Sequence, residues 1–448
     1  MLIGASSSLA ADDDSYRSSD VGKIRDVRVA MDVTGTVHLR PGEKEGASLP
    51  LKVQGRLQYQ ERLLRLNQPV QVARYYEEAQ VNIQVGKGST TNQLPPDTHY
   101  FLLTSNPDPQ SARLRVQRPD GPLSPEQAEL LELPLESAML SALLPQDVSA
   151  KNVNDRWEPT NQALAALLGI DSVTQNSVEC RFYTTRGTSA QVYIKGKVLG
   201  AIEGVATEID LNGSLEYDTK QESIRTAQFT LHESRSIGRA QPGFDVTAKI
   251  ELTLQESPRT TRLSDQILAS WELDSHRELE PLSYVSKAGG FRLVHDRKWH
   301  LMQDSPGVTV LRLVDRGDLI AQCNISRLED LSDGKRIGLD EFRNDVREAV
   351  AEQAGQIIEA ESTQRKDDSE VLRVVASGVV SDVSLQWIYY HITDPQGHRA
   401  AVIISVESEL FERFAAADQA LVESLTLQAK PTPTAASAAQ SSQPTTKK

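Results

Sequence analysis

Four runs between residues 191 and 255, QVYIKGKVLG, ATEIDLNGSLEY, RTAQFTLHES and FDVTAKIELTLQ, alternate apolar and polar residues with only short gaps between them. Side chains of a strand point to opposite faces in turn, so this pattern predicts strands with one face buried. The gaps are too short for a crossover helix, which leaves an antiparallel meander as the simplest arrangement. The same alternation marks residues 25–103, in VRVAMDVTGTVHL, LPLKVQGRLQY and the more mixed ARYYEEAQVNIQV. The two blocks share an echo: VQGRLQY at Val53–Tyr59 and LNGSLEY at Leu211–Tyr217. Duplication and convergent strand composition explain so short a match equally well.

A helical segment, 124–168, separates the blocks. Ser124-Pro125-Glu126-Gln127 has the form of a capping box with proline at the first helical position. Leu130, Leu131, Leu133, Leu135, Met139, Leu140, Leu143 and Leu144 supply a wide apolar stripe. Pro134, lacking an N–H, must kink or divide this helix, and Pro145 ends it. A second helix is expected from Thr160 as N-cap to Gly169 as stop, with Trp157 anchoring the loop before it. Residues 257–285 are polar with isolated apolar positions and read as a linker carrying one short helix or strand.

Beyond residue 286 the expected order is a strand, a strand pair turning at Asp315-Arg316-Gly317-Asp318, and a helix with Asp340 as candidate cap and Gly355 as candidate stop. Two further strands follow, then the stretch WIYYHITDPQGH and its partner strand AAVIISV. In that stretch Leu385, Trp387, Tyr389 and His391 fall on one side of a strand, and Ile388, Tyr390 and Ile392 on the other. Asp394-Pro395-Gln396-Gly397 makes the turn. A final helix is expected to bury Phe411, Phe414, Leu421, Val422 and Leu425. The aromatics therefore read as packing in a buried hairpin.

This order, closing on SELFERFAAADQALVESLTL, resembles the PsbP/Mog1-like fold over roughly 286–427. The resemblance implies an α/β/α domain and a binding or accessory role, often outside the cytoplasm; it carries no catalytic residues. The fold class expected for the whole chain is α+β. A β-rich domain (25–256) with its helical insert is followed by the linker and the PsbP/Mog1-like domain, between disordered segments 1–24 and 428–448.

The 448 residues carry a net charge of −14, which argues against a nucleic-acid footprint. No apolar run approaches the roughly 18 residues of a membrane span. MLIGASSSLAADDD reads either as the remnant of a secretory signal with Ser8-Leu9-Ala10 at its cleavage site, or as a frayed terminus. With the low-complexity tail, the first reading suits a periplasmic or secreted protein, a cytoplasmic one not being excluded.

Chemistry-bearing motifs are few. VGKGST at Val85–Thr90 lacks the first glycine of a phosphate loop, and no nucleophile elbow occurs. His295, His300, His391 and His398 lack metal-site spacing. Cys180 and Cys323 read as two separate small apolar residues. No catalytic residue, cofactor or metal is expected. Two functions remain: an exported, non-enzymatic binding or accessory protein docking on a larger partner, with Trp157, Trp271 and Trp299 as candidate anchors, or a carrier of an apolar ligand or lipid in a curved N-terminal sheet.

Overall fold

The computed structural model describes residues 20–39, 48–66, 69–105, 113–145, 147–257, 261–271, 273, 281–331 and 335–428. The signal-like start and the tail from 429 lie outside the described residues. Residues 20–24, expected to be disordered, are structured: Asp20 is buried, the Gly22 N–H donates to the Leu63 carbonyl, and Ile24 opens the first strand. The chain is strand-rich, with every described pairing antiparallel. It divides into two compact units, Met1–Glu280 with Arg316–Asp318, and Pro281–Asp315 with Leu319–Lys448.

In the first unit β1 (Ile24–His38), β2 (Ser48–Arg65) and β3 (Gln71–Val85) form a meander. It is extended by β4 (Gly88–Gln93), β5 (Tyr100–Ser105) and β6 (Leu114–Gln117). Past the helical segment come β7 (Arg156–Trp157), β8 (Ser172–Asn176) and β9 (Glu179–Arg186). The predicted meander follows as β10 (Ser189–Ile202), β11 (Val205–Asp218), β12 (Ser223–Arg235) and β13 (Gly243–Glu256). β13 returns to pair with β1 from Arg25↔Glu256 to His38↔Gly243, which joins both meanders into one 13-stranded sheet. The echoed segments lie in β2 and β11. In each the glycine makes room for a neighbouring strand's large side chain, Met31 at Gly55 and the Phe229 ring at Gly213.

The helical segment divides at Pro134, as the missing N–H requires. α1 (Pro125–Leu131) has its capping box, Leu135 adopts a positive φ of 66°, and a 3₁₀ turn follows at Ser137–Leu143. α2 (Asn161–Leu168) is capped by Thr160 and stopped by left-handed Gly169. The segment touches both meanders: Tyr59 and Arg74 bond to Ser137 and Glu136, while α2 packs on β8. β8 pairs with β10, which stands six places from β3 in the strand order. At about 4.8 Å per strand a flat sheet would separate β3 and β10 by about 29 Å. The sheet therefore curves around the segment, whose Leu130, Leu131, Met139, Leu140, Leu164 and Leu167 are at most 3% exposed.

A buried ionic cluster fixes that contact. Arg74 donates to both Glu61 and Glu136, Arg25 pairs with Glu61 at 3.1 Å, and Ser137 donates to Glu61 at 2.5 Å. Two cations facing two carboxylates leave no net buried charge, the condition for keeping such a group in a core. The region read as a linker contains α3 (Asp265–Leu268), and Leu263 and Leu268 are buried against Ala73.

In the second unit β14 (Leu282–Ser286) already starts inside the expected linker, because it pairs with β15 (Phe291–His295). A seven-stranded sheet holds β16 (Trp299–Asp304), β17 (Thr309–Asp315), β18 (Asp318–Arg327), β19 (Gln356–Gln364), β20 (Glu370–Val380), β21 (Val383–Thr393) and β22 (Arg399–Glu407). Their order is β16-β17-β18-β22-β21-β20-β19, and β23 (Thr426–Leu427) joins β15. α4 (Leu339–Ala349) is capped by Gly338 instead of Asp340 and ends before left-handed Ala354, one residue short of the expected stop. The final helix is two pieces, α5 (Phe411–Phe414) and α6 (Ala417–Ser424), because Ala415 and Ala416 both take positive φ.

Candidate functional site

The seven-stranded sheet has two unlike faces. On one, Leu311, Cys323, Ile325, Ile388, Ile392, Val402, Ile404 and Val406 are at most 1% exposed. Phe414, Leu421, Val422 and Leu425 cover them, together with Phe291 and Leu293 from the small sheet. Tyr390 donates to Asp418 at 2.5 Å and accepts from Arg373 at 3.1 Å, so even the polar groups on this side are paired.

The opposite face carries the alternate residues and is covered only in part. α4 sets Val346 and Val350 on Val374 and Ala376, with Phe342, Trp387 and Tyr389 half-buried at its margin. Beyond it the cross-strand pair Val380 and Val383 is 40% and 43% exposed, and Ile403, opposite Tyr389, is 36% exposed. Leu385, Trp387 and Tyr389 sit half-buried in one row of β21. Trp387 is held by a close approach: a Cβ on Gly378 would lie 2.8 Å from its ring. Further across, the face turns polar through Gln322 and Asn324. The result is a rigid aromatic and aliphatic strip on a sheet, rimmed by polar groups.

The hairpin in WIYYHITDPQGH is therefore buried on one side only. Ile388, Tyr390 and Ile392 are core, as expected; Trp387 and Tyr389 are not. The missed signal lay in α4: three apolar residues, Phe342, Val346 and Val350, cannot cover the face of a seven-stranded sheet. Val383 and the exposed Val379–Val380 pair, flanking a turn, pointed the same way.

The three tryptophans singled out from the sequence are not brought together. Trp299 is 2% exposed within the core of the second unit, so it offers no area to a partner. Trp157 is half-buried and its indole N–H donates to the Leu143 carbonyl at 2.8 Å, an anchor for the 3₁₀ segment. Trp271 alone of the three lines an open cleft, beside Tyr100.

The histidines are separately engaged. His295 bonds to the Asp296 carbonyl, His398 to the Asp394 carboxylate at 2.7 Å, and His391 is buried beside Phe342. Burial holds the His391 imidazole down at about 4, with Arg399 adding to the effect. Among the described residues no group of three or more His, Cys, Asp or Glu is placed to hold a metal. Both cysteines are free and buried; burial pushes Cys180 up to about 12 and raises Cys323 as well, so neither is a ready thiolate.

No family model matches the chain, and no curated protein matches it. Among solved structures, cyanobacterial PsbP from Synechocystis sp. PCC 6803 aligns with 34% of this chain and 95% of its own, at 16% identity and a TM-score of 0.27. A lipovitellin structure aligns with 55% of this chain and 26% of its own, at 9% identity and 0.29. An outer membrane channel from Pseudomonas putida F1 aligns with 89% and 98%, at 10% identity and 0.14. At these TM-scores none of the three carries an argument. Among the described residues no helix is long and apolar enough to cross a membrane.

Proposed function

We propose that this chain is an exported, non-enzymatic binding protein that docks on a larger envelope or secreted protein through the Trp387 face of its second unit. The observation that carries the reading is the half-covered sheet face. Trp387 and Tyr389 belong to the residue types that dominate binding energy at interfaces, and Val380, Val383 and Ile403 extend them into one strip. The partner is a protein with a complementary apolar surface and a positively charged rim. A rim of that sign suits a chain of net charge −14 with Asp382 and Glu407 exposed at the strip's end. The second unit is read as PsbP/Mog1-like on the order of its elements, strands, helix α4, meander, then α5 and α6.

The carrier alternative has less support. The leucines of the helical segment occupy the inner face of the curved sheet, and a cavity of about 150 Å³ beside them is lined by Arg113, Glu132, Glu203 and Arg235 as well as leucines.

A photo-reactive residue at Val383, in the full chain expressed in its own cell, tests the docking reading. The expected outcome is one discrete cross-linked protein in the envelope or medium fraction, lost in the Trp387→Ala variant. Cross-links that survive Trp387→Ala unchanged, or a chain that fractionates with the cytoplasm, would overturn it.

A further inference from the structure

The first unit carries a second, separate feature. Four rings stand in a row on its surface: His99 stacks on Tyr75 at 5.0 Å, Tyr75 meets Tyr100 edge-on at 4.9 Å, and Tyr100 meets Trp271 at 6.0 Å and 80°. Tyr75 itself is covered, since Arg262 lies 4.6 Å over its ring and Ala73, Leu263 and Leu268 pack against it. His99, Tyr100 and Trp271 line an open cleft of about 300 Å³, the small end of the range for ligand sites.

The lining also carries paired polar groups. Arg118 grips Asp120 with two parallel bonds, Nε to Oδ1 at 2.8 Å and Nη2 to Oδ2 at 2.6 Å, which also holds the Asp120 carboxyl below its usual range. Asp97, Thr98 and Ser270 complete the rim. A bidentate Arg–carboxylate pair is planar and leaves outward-facing lone pairs and N–H groups at set angles. The cleft lining thus combines aromatic surface with planar donors and acceptors.

We propose that this cleft binds a neutral saccharide unit. A sugar ring presents C–H groups on its faces, which pack on aromatic rings, and hydroxyls at its edge, each both donor and acceptor. That distribution matches this mixed lining. Other chemistries fit less well. Asp97 and Asp120 outnumber Arg118, in a chain of net charge −14, which disfavours a phosphate or other anion. A quaternary ammonium group wants several free ring faces and no cation nearby, whereas Arg118 lines the cleft and the Tyr100–Trp271 pair is edge to face. A fully apolar ligand would strip water from Asp97 and from the Arg118–Asp120 pair and return no polar contact. The inference is independent of the docking face, which lies in the other unit.

The test is ligand-observed NMR on the full-length chain with chitobiose, maltotriose and cellotriose, and with acetylcholine and inorganic phosphate as comparators. At least one saccharide is expected to bind in the millimolar range, with its ring protons receiving saturation from aromatic side chains. Trp271→Ala is expected to weaken that binding tenfold or more, and Asp120→Asn several-fold, with the circular-dichroism melt of each variant confirming that it folds. Should Trp271→Ala unfold the unit, Trp271→Phe, which keeps a ring, replaces it with an expected three- to tenfold loss. Three results would each overturn the proposal: no saccharide in the set binds, saccharide binding is indifferent to Trp271 and Asp120, or only acetylcholine or phosphate binds.

Discussion

The two faces of the β20–β21–β22 sheet come from the same strands and are separated only by residue parity. On one, Ile388, Val402, Ile404 and Val406 are at most 1% exposed under α5, α6 and the small sheet. On the other, Trp387 and Tyr389 lie at the margin of α4, and Ile403, opposite Tyr389, is 36% exposed. Trp387, Tyr389 and Ile403 are as apolar as their covered neighbours; what differs is the supply of covering residues. Burial is thus a property of the pair of layers, and a strand pattern alone describes only one of them.

The largest expected contrast is between neighbours. Ile388→Ala removes a fully buried side chain from the covered face and should cost about 4 kcal/mol. Amide hydrogen exchange of β21 would show it as loss of protection. Equal protection in Ile388→Ala and Trp387→Ala would erase the proposed difference between the faces.

His391 gives the second contrast, because it lies on the α4 side at a point the helix does cover, 4% exposed. Its folded pKa of about 4 is depressed below the ordinary value of about 6.5. The neutral ring therefore contributes stability that is fully present above about pH 6.5 and is lost as the pH falls through the folded value of about 4. The contribution should be about 3 kcal/mol. His391→Leu should flatten the stability profile between pH 6.5 and 4 relative to wild type, read as the difference in denaturation midpoints. An unchanged slope would mean that the ring is not held neutral.

On the covered side, Asp418→Asn weakens the bond from Tyr390 and removes the ion pair with Arg373 at a carboxylate that is 1% exposed. A loss of about 2 kcal/mol is expected, measured by urea denaturation. The smallest effect belongs to the open strip. Trp387→Ala should cost about 1 kcal/mol, since a half-buried ring loses only part of its covered area. A loss of several kcal/mol would place Trp387 in the core and contradict the docking reading.

Much of this architecture was legible because it follows from local chemistry. The alternation of 191–255 gave four strands; Ser124, Thr160 and Gly169 marked helix ends; Pro134 divided its helix. Other features were missed. Leu282–Ser286 is a five-residue strand paired across a short turn with β15, too short to set its pattern apart from the polar run before it, and the break at Ala415–Ala416 rests on two positive φ angles that alanine rarely takes. Trp387 was read as packing because its row is as apolar as its neighbour's. Only the length and narrow stripe of α4, weighed against the width of the sheet, show that something is left uncovered. The cleft at Trp271 was illegible for a similar reason: Tyr75, Tyr100 and Trp271 come from β3, β5 and the segment after α3.

The most direct test of the central claim compares cross-linking yield from Val383 in the wild type, Trp387→Ala and Tyr193→Ala, at equal amounts of folded protein. Tyr193 is a more exposed aromatic, 40%, in the other unit. The account predicts that Trp387→Ala abolishes the discrete product while Tyr193→Ala leaves it intact. Equal yields from all three would show that the half-covered face is surface and not an interface.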